Sequence, residues 1–341
     1  MRLIIALIFT FFVAPAFASH IITFDPPGST STDPGGITAS GVIIGSYTDA
    51  SGVTHGFLRT PGGAFTTFDV PGSTYTTATS ITPGGVITGY YGTAIGGTNG
   101  FVRALDGSIT TFDAPLGFGI LGSIYNGGSQ PPSINPAGTI AGTYSGFPSG
   151  NFEEHGFVRT PDGTFTTFDI PVGSTYTEAL AINPAGMITG DYCDDVQCSA
   201  FLRAPDGTVT SFDPPGCSDS IGFAINPAGA VMGATFASVS LGSDPVPGFL
   251  RNPDGTFELF TGPSASTNYT APIAMNAAGA ITGYSCDAAG CHGLLRAPDG
   301  TLTSFDPPGS TFTVGTAINP SGVITGFFYA VSGQHGFVLT P

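Results

Sequence analysis

Hydrophobic and polar positions alternate along most of the chain in runs of four to seven residues, each closed by Gly, Pro, Asn or Asp, a period-two pattern that predicts strands rather than helices. The stretch from His155 to Tyr192 shows the unit most completely. Phe157 and Arg159 fall on one face with Val158 on the other, and Pro161-Asp162-Gly163 supplies a hairpin turn. In Phe165-Thr166-Thr167-Phe168 the two aromatics lie on opposite faces. A sheet with one wet face would leave one of them in water, at a loss of roughly 1.5–3 kcal/mol, so both faces are expected to be covered. Asn183-Pro184-Ala185-Gly186 fits a type I turn and joins a strand around Ala179–Ile182 to another at Ile188–Tyr192. The unit is therefore a four-stranded antiparallel meander.

Copies of this unit recur with a period of about 45 residues, a blade-like spacing. They align on Phe24, Phe68, Phe112, Phe168, Phe212, Phe260 and Phe305, and again on the turn positions Thr38, Thr82, Asn135, Asn183, Asn226, Asn276 and Asn319. The ends are permuted. After Phe337 the chain stops at Pro341 without its Phe-Thr-Thr-Phe-Asp strand, whereas Ile21–Asp25 is a spare copy near the start. An all-β, seven-bladed β-propeller closed by this N-terminal strand explains the permutation, because closure removes exposed strand edges. A linear β-solenoid would have no use for it; a solenoid or two smaller sheets are the alternatives.

Met1-Arg2, the apolar run Leu3–Val13 and Ala16-Phe17-Ala18 read as a signal peptide over residues 1–18, which leaves 19–341 as one domain. The protein is expected to be exported, to the periplasm, the cell surface or the medium. No later stretch is long and apolar enough to span a bilayer as a helix. The 7 Lys and Arg against 23 Asp and Glu give a formal charge of −16, which argues against nucleic acid as a partner. Apart from Arg2, every cation is an Arg at one repeat position: Arg59, Arg103, Arg159, Arg203, Arg251 and Arg296, with Leu339 in the seventh copy. Standing mid-hairpin beside large aromatics, they are expected to stack on rings or reach carboxylates between blades rather than form a basic ligand ring.

Cys193 and Cys198, like Cys286 and Cys291, bracket the loop between the second and third strands in two copies. In an exported chain these pairs predict two local disulfides; a metal site is the alternative, weakened by the lack of a second ligand pair. Cys217 is left over. His55-Gly56-Phe57, His155-Gly156-Phe157 and His335-Gly336-Phe337, with Ile-Asn-x-x-Gly-x-Ile-x-Gly at Ile182–Gly190 and Ile318–Gly326, resemble the bacterial extracellular repeat family of the HAF type over nearly all of the mature chain. The resemblance implies an exported bacterial repeat protein and carries no activity with it. Gly stands where that motif has its middle Ala in most copies.

With the Phe-Thr-Thr-Phe-Asp strand outermost, the uniform turns share one face and the variable loops Gly117–Pro132, Ser145–Glu154 and Thr235–Pro247 share the other, where binding is expected. Tyr75, Tyr176, Tyr269 and Phe312 collect on that face with Asp194, Asp195 and Asp219, and with Asp287, Glu153 and Glu154 near them in the chain. Aromatic platforms with carboxylates suit carbohydrate; the same rings would equally serve to pack the blade tops. No H-E-x-x-H, G-x-S-x-G, phosphate-loop or dinucleotide motif occurs, so no cofactor is expected, although the acidic loops could take calcium. The reading is a monomeric, non-catalytic binding propeller for carbohydrate or an extracellular protein. The alternative is a carbohydrate-active hydrolase or lyase using upper-face acids. Finally, the register sets His155 opposite Asp169 across the hairpin, and likewise His55 with Asp69, Asn99 with Asp113, Ser199 with Asp213, His292 with Asp306 and His335 with Asp25.

Overall fold

The computed structural model describes residues 20–94, 96–113, 119–121, 132–146, 153–170, 176–194, 197–236, 246–264 and 269–341. The signal segment, Asp195 and most of the three variable loops lie outside the described residues. What is described is all β, with no helix. The repeating unit is the expected antiparallel meander, as in Ser73–Ile81, Ile87–Thr93, Thr98–Arg103 and Ile109–Phe112, and this one forms a separate four-stranded sheet. Thr177–Ile182, Ile188–Cys193, Cys198–Arg203 and Val209–Phe212 form a second, and Asp219–Ile225, Val231–Phe236, Gly248–Arg251 and Phe257–Phe260 a third. In a fourth unit the first strand is divided between Gly119–Leu121 and Ser133–Ile134, both paired with Ile140–Gly146.

The remaining strands belong to one mixed, 12-stranded sheet instead of the separate four-stranded sheets predicted. The difference is local. Two parallel contacts of a single residue pair, Ser31 with Gln334 and Cys291 with Phe312, tie three antiparallel meanders together where the third strand of one touches the first strand of the next. The closing strand is where the permuted ends require it: His20–Phe24 pairs antiparallel with Gly336–Thr340, and the last unit is completed by the first strand of the chain.

Each meander buries the same residues. Phe57, Phe101, Phe157, Phe201, Phe249 and Phe337 of the third strands are fully buried, as are Ile43, Ile87, Ile140, Ile188, Ile281 and Ile324 of the second strands. The glycine before the third-strand Phe has a steric cause. A Cβ at Gly100 would lie 2.1 Å from the Phe112 ring, and one at Gly336 would lie 2.6 Å from Phe24, because the fourth-strand aromatic lies flat over that backbone.

The six arginines behave as predicted. Each guanidinium sits 4.6–5.2 Å from the centroid of the fourth-strand Phe of the preceding unit: Arg59 over Phe24, Arg103 over Phe68, Arg159 over Phe112, Arg203 over Phe168, Arg251 over Phe212 and Arg296 over Phe260. Arg296 also donates to Glu258 at 2.6 Å. At the turn end, Asn135, Asn183, Asn276 and Asn319 each accept two backbone N–H bonds from their own turn. Each also donates its side-chain amide to the next unit, Asn319 reaching the Thr38 carbonyl across the junction of chain ends. Both predicted disulfides are present, Cys193–Cys198 and Cys286–Cys291, while Cys217 is a free thiol. Such bonds mark a non-cytoplasmic, oxidising compartment. No helix among the described residues is long and apolar enough to cross a membrane.

Candidate functional site

The first strands of the units surround a cavity of about 180 Å³ along the centre of the molecule. What reaches into it is decided by a shared irregularity. In six first strands the pairing register skips one residue, at Gly35, Thr79, Leu180, Phe223, Ile273 and Thr316. A bulge leaves its extra residue out of the ladder and re-aims it, and here all six line the cavity. Three neighbouring units contribute Thr316, Gly35 and Thr79, and three on the other side contribute Leu180, Phe223 and Ile273. The channel therefore has a hydroxyl wall and an apolar wall.

Among the described residues, one carboxyl group lines this space. Asp33, two residues before the bulge of its strand and paired in register with Ser46, lines the cavity beside Thr77. Desolvation pushes it from the usual carboxylate range up to about 7. At the same level of another first strand, Glu178 pairs in register with Asp191, and the neighbouring unit brings Glu154 alongside through its bridge to Tyr176. All three are buried. Burial, then the charge of Glu178, raises Glu154 to about 7; burial, then the charges of Glu178 and Glu154 and a hydrogen bond with Glu178, holds Asp191 well above the ordinary range. No group of three or more His, Cys, Asp or Glu among the described residues is arranged to hold a metal ion.

The residues singled out by sequence lie around the loop end of the channel and not in its wall. Tyr75 shares a 2.8 Å hydrogen bond with Thr98 and meets Tyr90 edge-on. Tyr269 contacts Tyr284, and Phe312 packs on Tyr284, Phe327 and Tyr329, spanning two units. Tyr176 bridges to Glu154. Asp219 accepts from the Cys198 amide at 2.9 Å and Asp194 from the Gln197 amide, so both fix loop backbone. The channel wall escaped the sequence reading because a bulge changes which face a residue occupies; Asp33, Glu178 and Asp191 carried a weaker signal, Asp33 and Glu178 being acids at a strand position that holds Thr77, Ile221, Ala271 and Val314 in other copies.

Five of the six predicted cross-strand pairs are in contact. Nδ1 of His55, His155, His292 and His335 lies 2.6–3.0 Å from Asp69, Asp169, Asp306 and Asp25, and Ser199 donates to Asp213 at 2.9 Å. Each of Asp25, Asp213 and Asp306 also accepts a 2.7 Å bond from a buried hydroxyl of the next first strand, Thr32, Ser220 or Thr313, so the carboxylate latches two units together. Burial alone would lower the His55 proton affinity, but the bond to and charge of Asp69, followed by Asp49, outweigh it and leave the value raised. The linked stabilisation is full below the unfolded His value and fades as pH rises through the folded one. We expect His55→Asn, which installs the residue found at Asn99, to cost less than about 1 kcal/mol at pH 5 and nothing measurable at pH 9 by urea unfolding. A cost that grows with pH would refute the assignment.

This arrangement, four-stranded antiparallel sheets around a central channel, is that of a β-propeller. The solved structures agree on the fold. Virginiamycin B lyase from Staphylococcus aureus aligns over 95% of this chain and 99% of its own at TM-score 0.59 and 14% identity. A streptogramin B lyase aligns over 94% and 97% at TM-score 0.57 and 14% identity. The β-propeller domain of the Trilobed protease from Pyrococcus furiosus, described as having an open velcro topology, aligns over 90% and 94% at TM-score 0.60 and 9% identity. No protein-family model and no curated protein sequence matches the chain.

Proposed function

We propose that the chain is an exported, seven-bladed propeller of the HAF-repeat kind that binds carbohydrate at its loop face and in the mouth of its channel, without turning it over. Seven third strands bearing the buried Phe or Leu294, and a seventh unit completed by His20–Phe24, support the blade count. The observation that carries the binding reading is the two-sided channel. A sugar ring presents hydroxyls at its edge and C–H groups on its face, and Thr79 and Thr316 across from Leu180, Phe223 and Ile273 offer a surface for each. Tyr75, Tyr176, Tyr269 and Phe312 would extend the platform outward for the rest of an oligosaccharide.

A hydrolase or lyase is the second reading, favoured by the raised Asp33 and Glu154, which are suited to proton transfer near neutrality. Two of the structural neighbours are named as lyases; at 14% identity that likeness speaks for the fold alone. Glycoside hydrolysis uses a pair of carboxyl groups across the bond, and among the described residues Asp33 is the single acid lining the cavity. A glycan array run beside an assay for released reducing ends distinguishes the readings. We expect retention of a glycan with no product; product formation that is lost in Asp33→Asn would establish the second. Retention of an extracellular protein and of no glycan would overturn the carbohydrate assignment.

A further inference from the structure

We infer that the channel is a site for a small organic cation, a protonated amine on an apolar body, with the ammonium group against Asp33 and the body against Leu180, Phe223 and Ile273. This rests on the reading that the channel takes a ligand, and adds the charge and polarity of what it takes.

Asp33, half-buried in the channel wall, has no hydrogen-bond donor or cationic partner among the described residues. The chain has no means of supplying one. It contains no lysine, and the six arginines beyond Arg2 are all committed to Phe rings at the fourth strands. A desolvated carboxylate without a partner is costly, and it is relieved by a proton or by a cation from outside. The formal charge of −16 raises the local concentration of such cations.

The hydroxyls nearby select for a donor. Thr316 gives its proton to the Pro34 carbonyl at 2.5 Å, with the Thr325 carbonyl at 3.3 Å, and Thr79 has the Thr88 and Pro132 carbonyls at 3.2 and 3.3 Å. Each of these two hydroxyls has one proton, and it is already used; what remains on these two oxygens is lone pairs. A head group with several donors and no acceptor matches the lone pairs of Thr79 and Thr316 together with one carboxylate, and that describes an ammonium group. A bare inorganic cation would leave the apolar half of the wall without a partner. Nor is the acid required by the fold, since the same strand position holds Thr77, Ile221, Ala271 and Val314 in other units.

The test is calorimetric titration of the full mature chain with cyclohexylammonium chloride, cyclohexanol and ammonium chloride at pH 8. Cyclohexylammonium should bind about tenfold or more tightly than cyclohexanol, as a charge-assisted contact implies, and more tightly than ammonium. Asp33→Asn should remove the preference over cyclohexanol. Asp33→Thr, which installs the side chain that Thr77 carries in the next unit, should do the same and guards against a folding defect in the first variant, with melting curves confirming that both fold. Equal binding of cyclohexanol and cyclohexylammonium would overturn the cation assignment and leave the channel a ligand site. Equal binding of ammonium chloride would overturn the organic body. If none of the three binds, the inference fails, whereas the carbohydrate reading is decided separately by the glycan array.

Discussion

Asp191→Asn should make the protein more stable at pH 8, by about 1–4 kcal/mol, and change it little at pH 5. The reason is the packing of three acids, Glu154, Glu178 and Asp191, into the interior where two units meet. A carboxyl group whose folded value is raised binds its proton more tightly in the folded than in the unfolded state. Stability then falls as pH climbs from the unfolded value toward the folded one. For Glu154 that window runs from its ordinary 4.5 to about 7, a loss on the order of 3 kcal/mol when complete. Asp33 acts in the same direction between 3.8 and about 7. His55 adds to the decline, since its stabilisation is also lost on the alkaline side. The turn aspartates, Asp106, Asp162, Asp206, Asp254 and Asp299, are held below their ordinary values by hydrogen bonds from Ser or Thr in the same turns, so their contribution is lost only under more acidic conditions. Wild-type protein should therefore melt at a higher temperature at pH 5 than at pH 8. Asn at 191 keeps a hydrogen-bond donor toward Glu178 while removing one buried charge. A melting temperature independent of pH across that range, or an Asp191→Asn protein that is weaker at pH 8, would show that the acids are ionised and solvated and that the packing is different.

Removing residues 20–25 should cost far more than the loss of a terminal strand usually does. His20–Phe24 supplies five register pairs to Gly336–Thr340. Phe24 lies over Gly336, meets Phe57 at 6.3 Å and carries the Arg59 guanidinium at 4.8 Å, so its loss opens the cores of both the last and the first units. Asp25 holds His335 and Thr32 at 2.7 Å each, one on either side of the junction. Phe24→Ala alone should cost about 3–5 kcal/mol as a buried aromatic truncation. The deletion also exposes the Gly333–Thr340 strand as an unpaired edge, and such edges recruit other chains. We expect the shortened protein to self-associate on size-exclusion chromatography and to melt well below the parent. A monomeric deletion variant melting within about 2 °C of the parent would contradict the pairing.

Most of the fold could be read from residue type because the repeat states the same constraint many times over. A Phe two residues before an Arg, a Pro-Asp-Gly turn, and an Asp fourteen residues after a His each recur, and the recurrence fixes register. Closure was legible from one missing strand and one spare. The Thr32, Ser220 and Thr313 partners of the repeated Asp were not, because they come from the following unit and depend on how units stack rather than on hairpin register. The channel was hidden for a related reason. Alternation along Asp219–Ile225 assigns Phe223 a face by parity, and the skipped rung between Gly222 and Ala224 cancels that parity. Which neighbours Tyr75 and Phe312 bond or stack onto is decided by side-chain contacts that sequence spacing does not encode, although packing was one of the two roles open to these rings.

The bulges also separate two properties that most sheets keep tied. A wall residue outside the ladder can be exchanged without breaking a rung or turning its neighbours inside out, so the scaffold and the selectivity of the pore are free to drift independently. Thr79, Leu180, Phe223, Ile273 and Thr316 amount to a row of interchangeable fittings on a fixed mount. Gly35 is the exception: a Cβ there would stand 2.9 Å from the Ala78 carbonyl oxygen, so this place in the row is closed to any larger side chain unless the neighbouring strand gives way. Chains sharing this backbone would then be expected to differ in those five places, and a library restricted to them would change what the pore accepts while leaving every rung of the ladder in place, with Leu180 and Phe223, both buried, held to apolar side chains of similar size.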